Sequence, residues 1–248
     1  MRISLTGSIL MLLTANLLYA QETDVLYLSG TGFDQTVEWE FYSSSGMKSG
    51  TWTTIEVPSC WEQQGFGEYN YGHVPFDERL KEEGHYRYYF DAPEAWKGKN
   101  LELIFEGVMT DALVLVNGKP AGAVHQGGFY EFSYDISKLV KFGKENKLEV
   151  KVKKFSDNAS VNLAERKADY WVFGGIFRPV RLEVLPGSYI DRVAIDAAAD
   201  GTFKADLFLG GSSKGSGILV EIIDTEGSIL AAFESAVEPG VKPLRVQG

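Results

Sequence analysis

Short segments in which apolar and polar residues alternate recur along this chain, and they restrict its fold more than any other feature. The clearest examples are Leu101-Glu-Leu-Ile-Phe-Glu106 and Leu148-Glu-Val-Lys-Val-Lys153. A period of two is typical of half-buried antiparallel strands, whose side chains point alternately to the core and to water. The pattern predicts an all-β protein with strands near residues 24–28, 36–41, 51–57, 85–91, 100–107, 112–116, 130–134, 147–153 and 180–185.

Turn signals divide these strands into two predicted units. Asn117-Gly118 is a two-residue hairpin signal, because that turn needs a positive φ at both central positions. Pro186-Gly187 is the predicted domain boundary, and a new strand series follows near residues 190–194, 202–209, 218–224 and 229–233. We expect a jelly-roll β-sandwich over residues 21–187, followed at 188–248 by a partial immunoglobulin-like β-sandwich, which needs about 100 residues when complete.

The first twenty residues have the pattern of a secretory signal peptide. Arg2 precedes an apolar stretch, and Ala20 offers a small residue at the cleavage site. We therefore expect a periplasmic or secreted protein, with no membrane attachment beyond the signal. The single cysteine, Cys60, cannot form an internal disulfide. A formal net charge of −10 argues against nucleic acid and anionic membrane surfaces as partners, since both are polyanions.

The chain shows no catalytic arrangement of its own. Glycoside hydrolysis usually needs two carboxylates that flank the bond, but most acidic residues lie at outward positions of alternating strands, as Glu102, Glu106, Glu149 and Glu183 do. The three histidines have no metal-ligand spacing, and there is no nucleophile elbow. We therefore expect no catalytic residue, no metal and no cofactor in this chain.

Two aromatic segments, residues 61–72 and 169–173, are candidates for carbohydrate contact. Pyranose rings stack their C–H faces on Trp and Tyr, and their hydroxyls bond to planar polar groups. Each residue also has a structural alternative: core packing for the two tryptophans, a turn or helix cap for the aspartate, and loop structure for the rest. The candidate substrate-binding residues are Trp61, Tyr69, Asn70, Tyr71, Asp169 and Trp171.

The order and spacing of several motifs resemble the N-terminal region of glycoside hydrolase family 2, which contains β-galactosidases, β-glucuronidases and β-mannosidases. The matching stretch runs from Val57 to about Val193. The motifs are Val57-Pro-Ser-Cys-Trp61, Tyr86-Arg-Tyr-Tyr-Phe90, Leu103-Ile-Phe-Glu-Gly-Val108, Val114-Leu-Val-Asn-Gly118, Phe132-Ser-Tyr-Asp-Ile136, Asn146-Lys-Leu-Glu-Val150, and Asp169-Tyr-Trp171 with Gly174-Gly-Ile-Phe-Arg178.

This resemblance implies a galactose-binding-like jelly roll, then an immunoglobulin-like sandwich, then a (β/α)₈ barrel with an acid/base Glu and a nucleophile Glu. A barrel needs about 250 residues, so we expect it to be missing here, together with both catalytic residues. By resemblance, Asp169 contacts substrate hydroxyls. The family also uses an Asn in the loop before a Pro-containing turn, but Asn70 is one position off and Tyr71 takes the aligned place.

Three interpretations remain open at this point. The first is the non-catalytic N-terminal part of a secreted retaining β-glycosidase, β-galactosidase-like, whose partners are a β-galactoside or related glycan and the missing C-terminal barrel. The second is a stand-alone glycan-binding module. The third is an inert fragment. Under each of them the chain alone is expected to hydrolyse no glycoside.

Overall fold

The computed structural model describes residues 23–79, 81–211, 217–236 and 244–247. The predicted signal peptide lies outside these residues. The strands are β1 (Asp24–Tyr27), β2 (Val37–Ser43), β3 (Trp52–Val57), β4 (Asn70–Tyr71), β5 (Glu83–Ala92), β6 (Asn100–Phe105), β7 (Asp111–Val116), β8 (Lys119–Pro120), β9 (His125–Gln126), β10 (Phe132–Asp135), β11 (Lys144–Lys153), β12 (Trp171–Val172), β13 (Val180–Leu185), β14 (Ser188–Ala197), β15 (Phe203–Gly211), β16 (Gly217–Ile223), β17 (Ile229–Ala236) and β18 (Leu244–Gln247).

Two antiparallel sheets form the first sandwich, and the all-β prediction is confirmed. One sheet has the order β1-β13-β6-β10, and the other has β3-β2-β5-β11-β7-β8, with β9 paired to β7. Between them lies one continuous apolar core. The core is built from the apolar positions of the alternating segments. Leu101 and Leu103 of β6, and Leu148 and Val150 of β11, have no exposed surface. Burying each of these side chains contributes roughly 1.5–3 kcal/mol to folding.

Turns and short helices connect these strands. Asn117 and Gly118 have φ values of 52° and 78° and join β7 to β8, so the predicted hairpin is confirmed. Short 3₁₀ turns lie at Trp61–Gln64, Phe76–Glu78 and Glu94–Trp96. One helix, α1 (Ala159–Glu165), was not predicted, because seven residues are too few to show a helical period. The Asn158 side chain caps it by accepting a hydrogen bond from the Ser160 amide at 3.0 Å.

The strands after Leu185 form two smaller sheets, β14-β15-β18 and β16-β17. Their buried core consists of Ala205 and Leu207, with Phe203, Ile218, Val220 and Phe233 packed partly against it. Large apolar side chains on this unit stay exposed, among them Ile195 at 66% and Leu230 at 68%. Pro186 and Gly187 lie between β13 and β14, where the boundary was predicted. Among the described residues, no helix is long and apolar enough to cross a membrane.

Candidate functional site

Strands β4 and β12 bring the two aromatic segments of the sequence together. They pair antiparallel, with Tyr71 opposite Trp171 and Asn70 opposite Val172. Neither strand exceeds two residues, and neither belongs to the main sheets. This short ladder therefore brings the two candidate segments together: Tyr71 lies opposite Trp171, and Tyr69 and Asp169 adjoin the paired strands.

Four aromatic rings of these segments form a partly exposed cluster. The rings of Tyr71 and Trp171 meet edge to face, with centroids 5.2 Å apart. The Tyr69 ring meets Trp171 at 6.0 Å and Phe173 at 6.1 Å in the same manner. Trp171 is 53% exposed and Tyr69 is 47% exposed. The contacts fix the orientation of the rings while leaving apolar surface open, which is what a stacking ligand needs.

A carboxylate lies directly beside this cluster. The Tyr71 hydroxyl donates a hydrogen bond to Oδ1 of Asp169, 98 positions along the sequence. This bond raises the pKa of Tyr71, because it holds the phenol in its protonated, donating form. Asp169 is exposed, so its second oxygen can accept a hydrogen bond from a ligand hydroxyl. The contact to Tyr71 accounts for the carboxylate better than the turn-cap alternative.

Two sequence candidates do not reach the open face. Trp61 is 1% exposed, and its Nε1 donates to Glu82 Oε2 at 3.3 Å. Its predicted sugar contact is therefore wrong: the ring packs in the core, so tightly that a Cβ on Gly174 would lie 2.2 Å from it. Asn70 is 5% exposed, and within the described residues its Oδ1 has no hydrogen-bond partner. Its role as a ligand contact stays a prediction.

Beneath the aromatic cluster lies a buried ionic group that the sequence analysis missed. The Lys154 ammonium is 2.7 Å from Glu62 Oε1 and 3.2 Å from Glu82 Oε2, and all three side chains are inaccessible to water. Lys154 also donates to the Glu68 carbonyl, just before β4. Glu62 accepts the Gly174 amide at 3.1 Å, just after β12. The group therefore ties both site strands to the sandwich.

Burial acts against the charges of this group. It raises the pKa values of Glu62 and Glu82, while the neighbouring Lys154 opposes that rise. The sequence contains little that would predict the burial of these charges. Glu62 lies in an otherwise aromatic loop, and Lys154 continues the alternation of β11. In the sequence, both residues look like the solvated charged residues near them. Only the structure shows that their side chains are buried.

Two buried arginines donate hydrogen bonds to backbone carbonyls in the loops around the site. Arg79 donates to the carbonyls of Val74 and Gly72 at 2.8 Å each, and to that of Arg166 at 2.9 Å. Arg166 donates to the Phe173 carbonyl at 3.0 Å. Burial lowers the pKa of Arg166 to about 10. Both arginines stay charged at neutral pH, and their planar donor arrays fix carbonyls that no sheet satisfies.

The glycines of the two segments allow this close approach. A Cβ on Gly72 would lie 2.0 Å from the Ala168 carbonyl oxygen, and one on Gly175 would lie 2.7 Å from the Ser59 oxygen. Gly175 also has a φ of 126°, which other residues rarely adopt. The Gly174-Gly175 pair after the second aromatic segment thus packs directly against the loop that contains Trp61.

In the part of the chain that the structure describes, the site gains neither a reactive thiol nor a metal centre. Burial raises the pKa of the Cys60 thiol to about 12, so the thiol is protonated and unreactive at neutral pH. Across those same residues, no group of three or more His, Cys, Asp or Glu side chains is placed to hold a metal ion.

The sequence and the fold are both similar to known glycosidases. Residues 34–186 match the family model described as "Glycosyl hydrolases family 2, sugar binding domain". A β-galactosidase of Thermoanaerobacter pseudethanolicus is 34% identical over 165 residues, which covers 64% of this chain and 22% of the relative. A β-glucuronidase of Bacteroides fragilis is 28% identical over 203 residues, covering 80% of this chain and 26% of the relative.

Solved structures agree at the level of the fold. A β-glucuronidase from glycoside hydrolase family 2 superposes with a TM-score of 0.67 at 21% identity, covering 92% of this chain and 26% of that one. A putative β-galactosidase from Bacteroides fragilis gives 0.64 at 24% identity, covering 91% and 35%. The chain thus spans about a quarter or less of the curated relatives named above. Through the sugar-binding domain that residues 34–186 match, this chain belongs to glycoside hydrolase family 2.

Proposed function

We propose that this chain is the non-catalytic, substrate-contacting part of a secreted retaining β-glycosidase that acts on β-galactosides or related β-glycosides. In this proposal a (β/α)₈ barrel supplies the acid/base Glu and the nucleophile Glu, and the chain forms one wall of the active site. Support comes from the family, from relatives named β-galactosidase and β-glucuronidase, and from the site described above. The signal-like residues 1–20 support export.

One observation carries the binding part of the proposal: the Tyr71–Asp169 hydrogen bond beside the exposed ring of Trp171. Trp171 offers an apolar face to the C–H groups of a pyranose. Asp169 offers a carboxylate oxygen to a ring hydroxyl, and a hydrogen bond to a charged group contributes about 1.5–3 kcal/mol. Tyr71 holds the carboxylate in place, so less conformational freedom is lost on binding.

The three carboxylates at and next to the site, Glu62, Glu82 and Asp169, do not suit hydrolysis of a glycosidic bond. Glu62 and Glu82 are paired with Lys154 and closed to water, so they cannot flank a substrate. Asp169 is exposed, but its recorded partner is a tyrosine hydroxyl rather than a second carboxylate. Retaining hydrolysis needs two carboxyl groups about 5–5.5 Å apart. The chemistry is therefore assigned to the barrel.

A second function deserves a place because Trp171 and Tyr69 are exposed in this chain by itself. In this alternative the chain captures a glycan on its own, as a stand-alone binding module. The two functions differ in one respect. A complete binding site shows saturable sugar binding without any other domain, whereas one wall of a shared pocket binds free sugar much more weakly.

The test is a calorimetric titration of the full chain with galactose, glucuronic acid, mannose and one oligosaccharide of each. We expect Asp169→Asn to weaken any measured sugar affinity by about ten-fold or more, because a charged acceptor is lost. Asp91→Asn is the matched control, since Asp91 is an exposed aspartate on β5. Saturable binding that Asp169→Asn leaves unchanged would refute the site, and glycoside turnover by the purified chain would refute the non-catalytic assignment.

A further inference from the structure

A second concave surface lies along strand β3, the outer strand of the larger sheet. Its volume is about 640 Å³, and it shares no residue with the Asp169 site. Lys48, Trp52, Gln64 and Phe66 line it, together with short hydroxyl side chains that include Thr51 and Thr53. We refer to it as the β3 groove. It is wide enough for more than one small polar ring, since ligand pockets start near 300 Å³.

Trp52 gives this groove a fixed aromatic wall. The ring is 40% exposed. The Arg87 guanidinium lies over it at 3.7 Å, and the Tyr42 ring lies 5.7 Å away on the neighbouring strand. These contacts hold Trp52 in place without burying it. A lone exposed tryptophan is unremarkable on a protein surface, but one that is held rigidly against a groove of polar side chains is suited to stacking.

The rest of the groove is polar and almost uncharged. Thr51 and Thr53 make no side-chain hydrogen bond to the described residues, so their hydroxyls are available to a ligand. Lys48 is the one charged side chain among the lining residues, and it is already engaged: its ammonium donates to the Gln64 carbonyl at 3.1 Å and lies over the Phe66 ring. With a chain net charge of −10, this lining favours a neutral ligand over a polyanion.

The edge of β3 is blocked against a long protein strand. The Gln64 side chain accepts from the Glu56 amide at 3.1 Å and donates to the Glu56 carbonyl at 2.9 Å, as a neighbouring strand would. Along an antiparallel strand, the backbone N–H and C=O groups of alternate residues point to the same side. The backbone groups of Trp52 and Thr54 therefore point to the outer edge, as those of Glu56 do, and have no strand partner there among the described residues. The open backbone groups of two residues are too few for stable addition of a strand, but they can form hydrogen bonds with single hydroxyl groups of a ligand.

We propose that the β3 groove is a second carbohydrate-binding surface, which takes a neutral oligosaccharide segment of hexopyranose units. Trp52 stacks on the C–H face of one sugar ring. Because neighbouring side chains of a strand point to opposite faces, Thr53 lies across the edge of β3 from Trp52, so its hydroxyl, that of Thr51 and the open backbone of the edge bond to hydroxyls of sugar units that cross this edge. This surface does not use Asp169, Tyr71 or Trp171, so it serves to hold a longer glycan rather than to position a bond for cleavage.

Oxidative footprinting of the wild-type full chain tests this directly. Trp52 and Trp171 are both accessible, at 40% and 53%, and lie in different peptides, so mass spectrometry follows each one separately. The probes are a soluble β-1,4-galactan and a galactomannan. We expect at least one of them to slow the oxidation of Trp52 several-fold, whereas free galactose does not. Equal oxidation rates of Trp52 with and without both polymers would overturn the proposal.

Variants supply the second arm, read by the retardation of the full chain in gels that contain the same polymers. Trp52→Ala is expected to lose about ten-fold or more in polymer affinity, because the ring that stacks on the sugar is removed. Thr51→Arg places a long side chain in the groove while it keeps the Trp52 ring, and it should lose retardation as well. Tyr89→Ala, which removes a 43% exposed ring from the same sheet, should behave as the wild type.

The outcomes separate this proposal from the one made for the Asp169 site. Asp169→Asn should leave polymer retardation unchanged, even if the chain binds no monosaccharide. Retention of wild-type retardation by Trp52→Ala and Thr51→Arg would overturn the groove proposal and leave the Asp169 site untouched. Concentration-dependent dimerisation that Trp52→Ala abolishes would assign the groove to a second copy of the chain, and it would also overturn the proposal.

Discussion

Lys154 is a charged residue without exposure to water, and it holds two parts of the candidate site together. Its ammonium pairs with Glu62 and Glu82 and bonds to the backbone next to β4. Lys154→Met leaves two buried carboxylates without a cation, which typically costs about 3–5 kcal/mol. We expect that loss in the free energy of unfolding, measured with urea near pH 7.

The free energy of unfolding of Lys154→Met should fall as the pH rises from about 5 to 7. Burial raises the pKa values of Glu62 and Glu82 above the ordinary 4.5, and removal of the cation raises them further. The folded state then binds more protons than the unfolded chain above pH 4.5, so stability falls as pH rises. The deficit of Lys154→Met should be smaller near pH 5 than near pH 7. Lys153→Met, which breaks only the exposed pair with Asp157, is the control, and an equal effect of both variants would contradict the assignment.

Cys60 makes a separate contribution at alkaline pH. Burial raises the pKa of its thiol from 9.0 to about 12. Above pH 9 the unfolded chain loses this proton while the folded chain keeps it, so the free energy of unfolding falls as pH rises. Between about pH 8 and pH 10 we expect that fall to be about 1 kcal/mol smaller in Cys60→Ala than in the wild type. Identical slopes for the two proteins would contradict this. The window ends at 10, because Arg166 titrates with the opposite sign above it.

At the scale of elements, the β4–β12 ladder depends on glycine. A Cβ at position 72 would lie 2.0 Å from the Ala168 carbonyl oxygen, and the backbone of Gly72 cannot move away without disturbing its hydrogen bond from Arg79. We expect Gly72→Ala to lower the free energy of unfolding by about 1–3 kcal/mol and to weaken any sugar binding. Gly32→Ala is the matched control, since nothing lies within 4 Å of its added carbon. The measurements are thermal unfolding and the titration used for Asp169.

The elements also show how far sequence reasoning reaches. Alternation over six or more residues, as in β6 and β11, predicted the long strands and the core. The two-residue strands β4 and β12 show no such alternation, so their pairing was not predicted, and only shared aromatic composition and the family resemblance marked the two segments as candidates. Trp61 was misassigned because its loop contains the same residue types as the site. Its burial depends on Gly174, which directly follows the other aromatic segment and packs on its ring.

At the scale of the whole molecule, the two units differ in how well they cover their apolar residues. The first sandwich has a continuous buried core, whereas Ile195 and Leu230 in the sheets after Leu185 are 66% and 68% exposed. Such surfaces promote association. We expect the full chain to self-associate with rising concentration, and the double variant Ile195→Lys, Leu230→Lys to stay monomeric in sedimentation velocity. Val124→Lys, at a 50% exposed position of the first sandwich, should not change the association.

The two-residue ladder between β4 and β12 restricts how this site can change during evolution. Tyr71 faces Trp171 and Asp169 only in one register, and glycines without room for a carbon adjoin both strands. A single inserted or deleted residue in either loop would turn the aromatic side chains away from their partners. Relatives with other sugar preferences are therefore expected to differ here by substitution at fixed loop length, so that alignments of this region should contain few gaps and many exchanged side chains.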